Sequence, residues 1–225
     1  ANRVLPDEAL AFQLNACVEV TGILGITGLA SDTHEADDII GTLAKRGRQM
    51  NGRQIIVVSR DKDLMQLVGA NDVIWDFGQA EPQDRSAVMD RMGIWPEQLA
   101  DYLALVGDSV DNIPGVPGIG AKTAAVLLQH FGDVQTLLQA GDQIAEVPVR
   151  GAKNLSAKID AYGEQILMAR KLASIAEDAP VGNPELTRQP IALDALADFC
   201  QRMGLGERLL ERAERLIDSV ESGAE

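Results

Sequence analysis

The sequence predicts an α/β fold with a parallel sheet, followed by an all-helical part. Three observations carry that expectation. Short β-branched runs alternate with helix-period segments up to about residue 83, the patterning after that point is helical only, and acidic residues gather where elements meet. Residues 7 to 21 (DEALAFQLNACVEVT) place apolar side chains at roughly helical spacing, and Gly25 introduces ITGLA, which reads as a strand. HEADDIIGTLAKRGRQM reads as a helix with acids in its first turn and bases in its last, the order the helix dipole favours. QIIVVS is a run of the kind that fills fully buried parallel strands, DLMQLV starts a further helix, and DVIWDF is a further strand. Strands alternating with helices predict a parallel sheet covered by helices on both faces, with sites at the carboxyl ends of strands.

From residue 84 the segments SAVMDRMG, PEQLADYLALVG, AKTAAVLLQHFGDVQTLLQA and the stretch from Gly151 to Ile175 all read as helices. LASIA is expected to return as a strand, residues 193 to 219 as terminal helices, and SVESGAE as a frayed tail.

With 225 residues, 46% of them apolar, the chain can bury a core. It offers no run of 18 apolar residues, and its first residues, ANRVLP, lack the layout of a signal peptide, so a cytoplasmic protein without a membrane segment is expected. Cys17 and Cys200 have no neighbouring Cys or His at ligand spacing; two buried thiols are expected, and neither a disulfide framework nor a zinc site. The formal charge of −14 argues against a nucleic-acid partner, but its distribution does not. Arg150, Lys153, Lys158, Arg170 and Lys171 face only Asp160 and Glu164 over that stretch.

Three acidic clusters carry the candidate chemistry. Glu35, Asp37 and Asp38 open a helix; Asp61 and Asp63 follow a strand in SRDKD; Asp108 and Asp111 leave a helix in GDSVDN. Each alone reads as a cap or a turn: Asp32 as N-cap with Glu35 three residues on, Asp63 as cap of the helix from Leu64, Asp108 and Asp111 as turn formers. Together, seven carboxylates at three junctions repel one another unless a cation neutralises them, and all-oxygen donors suit Mg²⁺ or Mn²⁺. Two such ions about 3.5–4 Å apart can clamp a phosphodiester and need no nucleophilic side chain. A second feature is IPGVPGIGAKTAAVLL. Gly115, Gly118 and Gly120 free the backbone, and a helix with Lys122 and Thr123 in its first turn follows, as in a hairpin that contacts duplex backbone. His130 reads as a packed or surface residue, and His34 as a neighbour of the acids.

The strings HEADDIIGTLA, VVSRDKDLMQLV and LALVGDSVDNIPGVPGIGAKTAAVLL, in this order and with RGAKNLSAKI after them, closely resemble the 5′ nuclease domain of bacterial DNA polymerase I and its free-standing flap endonuclease relatives. The resemblance implies a PIN-like, Rossmann-like α/β nuclease fold with a helix-three-turn-helix subdomain. It implies hydrolysis of DNA near single-strand/duplex junctions with two divalent ions, Mg²⁺ or Mn²⁺. Glu35, Asp37 and Asp38 would be ligands of the first ion, and Asp61, Asp63, Asp108 and Asp111 of the second. The loop 113–120 becomes a candidate K⁺ site, and Arg3, Gly115, Gly118, Gly120, Lys122, Thr123, Arg150 and Lys153 candidate DNA contacts. The division that follows is 1–83 for the nuclease α/β part, 84–171 for the helical DNA-binding subdomain, 172–217 for a strand and helices packing back on the nuclease part, and 218–225 for a tail. The implied partner is DNA with a 5′ flap or 5′ end, engaged by a monomer, with a polymerase domain as a further part of the parent chain. Family members begin with an Asp-bearing central strand, a second Asp-bearing segment and a basic arch. ANR resembles the end of that arch, so the chain is expected to be a fragment whose activity alone is in question. The alternatives are a non-catalytic module that binds DNA structure and, more weakly, a small-molecule phosphatase built on Asp61 and Asp63.

Overall fold

The structure, a computed structural model, describes residues 7–50 and 53–222. The chain divides into a larger unit, Asp32–Ala179, and a smaller unit formed by the residues before Asp32 and after Ala179. In chain order the elements are α1 (Glu8–Ile23), α2 (Ala36–Gln49), β1 (Ile56–Val58), β2 (Val73–Trp75), α3 (Arg85–Met92), α4 (Leu99–Val106), α5 (Ala121–Phe131), α6 (Val134–Gln139), α7 (Leu155–Ala161), α8 (Gly163–Ala173), α9 (Leu193–Arg202) and α10 (Arg208–Glu221). Short 3-10 turns cover Asp63–Leu67, Pro96–Gln98, Gly141–Glu146 and Ala152–Asn154.

In the smaller unit Asp7 caps α1, its Oδ1 accepting the Leu10 N–H at 2.7 Å. Val20 and Ile23, one turn apart, pack with α9 and α10 around buried Ile191, Leu196, Cys200 and Ala213. Cys17 lies off that stripe and is exposed, so only Cys200 is the buried thiol expected of both. ITGLA is not a strand. Gly25 has φ 73°, and a Cβ there would lie 2.0 Å from the Gln189 carbonyl oxygen. The chain turns at this point and forms scattered bonds, such as Gln189 N–H to Gly25 O at 2.8 Å, in place of a ladder.

In the larger unit the strand signals of QIIVVS and DVIWDF hold. β1 and β2 pair in parallel, Ile56 opposite Val73 and Val58 opposite Trp75. A crossover containing the Asp63–Leu67 turn joins them, since parallel strands cannot share a hairpin. DLMQLV thus forms a single tight turn, with Leu64, Met65 and Leu67 buried. The expectation of a fully buried strand fails for β1: Val57 is buried, while Ile56 and Val58 on the opposite face of the pleat are 55% and 59% exposed. Buried Asp72 ties the layer together, its Oδ1 accepting from Ile55 N–H at 2.9 Å and its Oδ2 from Arg48 Nε at 2.6 Å.

LASIA is not a strand either. α8 runs on to Ala173, and the backbone beyond it is satisfied by side chains. Gln66 Nε2 donates to Ala173 O at 3.1 Å, Gln66 Oε1 accepts from Ile175 N–H at 3.0 Å, and Asp38 Oδ1 accepts from Ala176 N–H at 2.8 Å. Gln66 here takes the place a neighbouring strand would have, so no strand forms in 172–217 among the described residues. The helical part is built around α4, whose Leu99, Leu103, Ala104 and Leu105 are buried between α5 and α8. Gly132, at φ 85°, ends α5, and Asp133 caps α6 through Thr136 N–H at 2.7 Å, which splits the long apolar run in two. No helix among the described residues is long and apolar enough to cross a membrane.

Candidate metal centre and nucleic-acid interface

Three junctions of the larger unit bring the acids together. At the first, Glu35 itself, and not Asp32, is the N-cap of α2, and its N–H donates to Asp38 Oδ2 at 3.2 Å. Asp38 therefore spends both oxygens inside the fold, one on Glu35 and one on Ala176. Asp37 does not: burial raises its carboxyl pKa first, and Asp61, Glu35, Asp38 and Asp111 add to the rise as like charges. The first cluster is thus within electrostatic reach of the other two.

At the second junction the chain leaves β1 through Ser59, whose Oγ accepts the Asp61 N–H at 3.0 Å. Asp61 Oδ1 in turn accepts the Asp63 N–H at 3.0 Å. Asp63 does not cap the turn as expected: it is the turn's own first residue, Lys62 holds the N-cap position, and no side chain makes a cap bond there. The Asp63 Oδ1 is buried without a hydrogen-bond partner. Burial first, then the like charges of Asp61, Asp108 and Asp111, against the opposing Lys62, push the Asp63 carboxyl up from 3.8 to about 6.

At the third, α4 ends at Gly107 (φ 85°), and the following loop is closed by paired bonds between Asp108 and Ile113, both at 2.8 Å, with Asn112 left-handed at φ 55°. Asp108 is buried; its Oδ1 accepts from Val110 N–H at 2.8 Å and its Oδ2 from Lys62 Nζ at 2.5 Å. The Lys62 hydrogen bond holds the Asp108 carboxyl below its usual range, and Asp108 reciprocally raises the Lys62 ammonium. Asp63, Asp108 and Asp111 each offer an oxygen, all within 4.8 Å of one another. That donor set is hard and anionic, one of its residues, Asp63, has a buried oxygen without a hydrogen-bond partner, and it fits a divalent cation. Glu35, Asp37, Asp38 and Asp61 lie outside this tightest group.

The hairpin loop is more occupied than its glycines suggest. A Cβ at Gly115 would lie 2.2 Å from Val106 O, so that glycine serves a backbone contact inside the fold. Gly118 needs its φ of 83°, and a Cβ there would lie 3.0 Å from Lys158 Nζ. Gly120 has open space around it, at the N-cap of α5. Lys158 Nζ donates to Pro117 O at 2.7 Å and Gln165 Nε2 to Gly115 O at 3.2 Å, so part of the carbonyl set in loop 113–120 already has donors. Lys122, Arg150 and Lys153 are exposed and Thr123 is half-buried; Arg3 lies outside the described residues. Arg170, counted with the basic stretch, is bonded through Nε to buried Asp101 at 2.6 Å. His130 is exposed, with its ring edge-on to Phe131, and His34 is half-buried with Nδ1 3.0 Å from Thr33 Oγ1. The residue that sequence reasoning missed is Lys62. Its one signal was its place between two acids in SRDKD.

Comparison with known proteins places these features. The family model described as 5′-3′ exonuclease, N-terminal resolvase-like domain, matches residues 1–93, and the one described as 5′-3′ exonuclease, C-terminal SAM fold, matches residues 94–192. A 5′-3′ exonuclease of Buchnera aphidicola (subsp. Schizaphis graminum) is 35% identical over 92% of this chain and 72% of its own length. The DNA polymerase I of Bacillus caldotenax is 42% identical over 72% of this chain, which spans only 18% of that polymerase. Among solved structures, T5 5′-exonuclease with bound divalent metal ions (zinc) superposes with a TM-score of 0.61 at 20% identity, over 96% of this chain and 72% of that one. The catalytic core of Rad2 in complex with DNA substrate gives 0.58 at 14% identity, over 94% and 70%. The fold is therefore the resolvase-like, PIN-type α/β arrangement with a SAM-like helical part, and the chain belongs to the 5′-3′ exonuclease family of nucleases.

Proposed function

We propose that this chain is the metal-dependent part of a structure-specific 5′ nuclease that hydrolyses DNA near single-strand/duplex junctions. The observation that carries this reading is the convergence of Asp63, Asp108 and Asp111 from two junctions, with a buried carboxylate oxygen left unbonded. Divalent ions, Mg²⁺ or Mn²⁺, would supply charge neutralisation at the phosphodiester and an activated water. Asp63, Asp108 and Asp111 would hold one such ion, with Asp61 beside them; Glu35 and Asp37 would serve a second, together with Asp38, whose oxygens each accept one backbone N–H and keep a second lone pair. The chain's own contribution is to keep these carboxylates close against their repulsion, through the Ser59–Asp61–Asp63 bonds and the closed loop 108–113.

Duplex backbone is held by the first turn of α5 with Gly118, Gly120, Lys122 and Thr123, and by Arg150 and Lys153, without base readout. T5 5′-exonuclease and Rad2, solved with metal ions and with DNA respectively, support the same two ligands here. A K⁺ ion at loop 113–120, a monomeric cytoplasmic state and a polymerase domain in the parent chain belong to the same proposal.

The test is the full-length protein on flapped DNA. Asp63→Asn and Asp108→Asn should each lower cleavage roughly 1000-fold, about 4 kcal/mol of barrier, with DNA affinity kept. Undiminished cleavage in both variants, with binding intact, would take the catalytic role away from this centre and leave the chain a DNA-structure-binding part of an enzyme whose chemistry lies elsewhere.

A further inference from the structure

The acids of the candidate centre differ in one respect: Asp108 already has a cation. Lys62 Nζ lies 2.5 Å from its Oδ2, and Oδ1 is taken by Val110 N–H. A cation arriving at Asp63, Asp108 and Asp111 therefore meets an ammonium on one of its three carboxylates. We propose, on the footing of the metal reading above, that Lys62 is a displaceable internal counter-cation: its ammonium holds Asp108 until a divalent ion takes that oxygen, and then swings into the adjoining cavity.

Three features make Lys62, and not Asp108, the partner that moves. The Asp108 side chain is 2% exposed and pinned by its own loop, whereas the Lys62 side chain is 50% exposed. The ammonium is a point charge on a flexible stem that water rehydrates readily, unlike a guanidinium bound at several atoms. Arg48 illustrates the contrast, since it is fixed on both Asp72 and the Leu67 carbonyl. Lys62 also has somewhere to go: it lines a cavity of about 580 Å³ together with Arg91, Tyr102 and Lys122. The swing would carry one positive charge from the acids toward the α5 side, where Lys122 is offered to DNA.

The device would answer a physical difficulty. Without an ion, close carboxylates repel, and a resident ammonium relieves Asp108 while leaving Asp63 and Asp111 to attract the divalent ion. Its consequence is a threshold, because ion binding must overcome the loss of the Lys62–Asp108 bond.

Two measurements on the full chain test it, both with Mg²⁺ alone. In calorimetry, Lys62→Met should bind Mg²⁺ about tenfold more tightly than wild type, the loss of a charge-assisted competitor. Arg91→Met, which removes a charge from the same cavity without touching Asp108, should stay within about twofold. In lysine acetylation read by mass spectrometry on the wild-type chain, Lys62 should be protected without ion and become severalfold more reactive when Mg²⁺ saturates; this arm needs no variant to fold. Equal Mg²⁺ affinity in Lys62→Met and wild type, or Lys62 reactivity that ignores Mg²⁺, overturns the displacement alone. If neither wild type nor Lys62→Met binds Mg²⁺, the metal reading falls and takes this one with it.

Discussion

Asp101 and Asp63 are both acids of the larger unit held away from water, and their surroundings differ in kind. Asp101 sits on α4 with Arg170 of α8 at 2.6 Å, so its burial raises its pKa against a cation supplied by the fold. Asp72 also has a cation supplied by the fold, Arg48 at 2.6 Å, and two backbone donors. Asp63 has an unbonded buried oxygen and three acidic neighbours, and the charge that opposes them, Lys62, is bonded elsewhere. An acid that carries its own counterion is part of the scaffold. An acid held among other acids without one is disposed to take a cation from solution, and the cost of holding it there is the mark of the site.

The largest effect that would sharpen this contrast is expected at Asp101. Asp101→Ala leaves Arg170 without its partner and should cost about 3 kcal/mol, read as a lower denaturant midpoint at unchanged slope. A neutral Asp101→Ala would put the pair on the surface side of the comparison. The next effect is on the other side: millimolar Mg²⁺ at about ten times its Kd should stabilise the chain by about 1.4 kcal/mol, raising Tm by roughly 3–6 °C. An equal response in Asp63→Asn would detach the effect from this centre.

A pH series separates the two acids further. The Asp63 pKa is raised from 3.8 to about 6 in the folded chain, so between these values the native state binds more protons than the unfolded one. Without ion, its contribution to stability is present below pH 3.8, and it is lost as pH rises to about 6. Solvent screening reduces the loss to about 1 kcal/mol. Wild type minus Asp63→Asn should show this fall across pH 4–6; a flat difference would mean the carboxyl is not perturbed. The smallest effect is Lys153→Glu, which should weaken DNA binding modestly and lower the salt slope by about one unit if the side chain meets a phosphate.

Much of the site was legible because chemistry forced it. Acids at three element junctions have few reasons to cluster, and the structure brings Asp37, Asp61, Asp63, Asp108 and Asp111 within reach of one another. The strands at QIIVVS and DVIWDF were legible as β-branched runs, yet ITGLA and LASIA, also short and largely apolar, are not strands. What separates them is partnership: β1 and β2 have each other, while Ile175 and Ala176 are bonded by Gln66 and Asp38, side chains that no local pattern connects to them. The same holds for Arg170, which counts toward a basic stretch until its bond to Asp101, far back in the sequence, is known. Lys62 was hidden for the opposite reason, being adjacent to the acids and so absorbed into the motif.

The contact between Gly107 and Gly115 reaches beyond either loop. A Cβ on Gly107 would meet Gly115 N at 2.5 Å, and one on Gly115 would meet Val106 O at 2.2 Å, so main chain lies directly against main chain there. The stretch bearing Asp108 and Asp111 is thereby bolted to the start of the hairpin that leads to α5. No rotamer intervenes that could act as a hinge or be tuned by a small mutation. The path from the carboxylates to the first turn of α5 thus starts from a main-chain seam, and a side chain inserted at position 107 or 115 would force that seam apart.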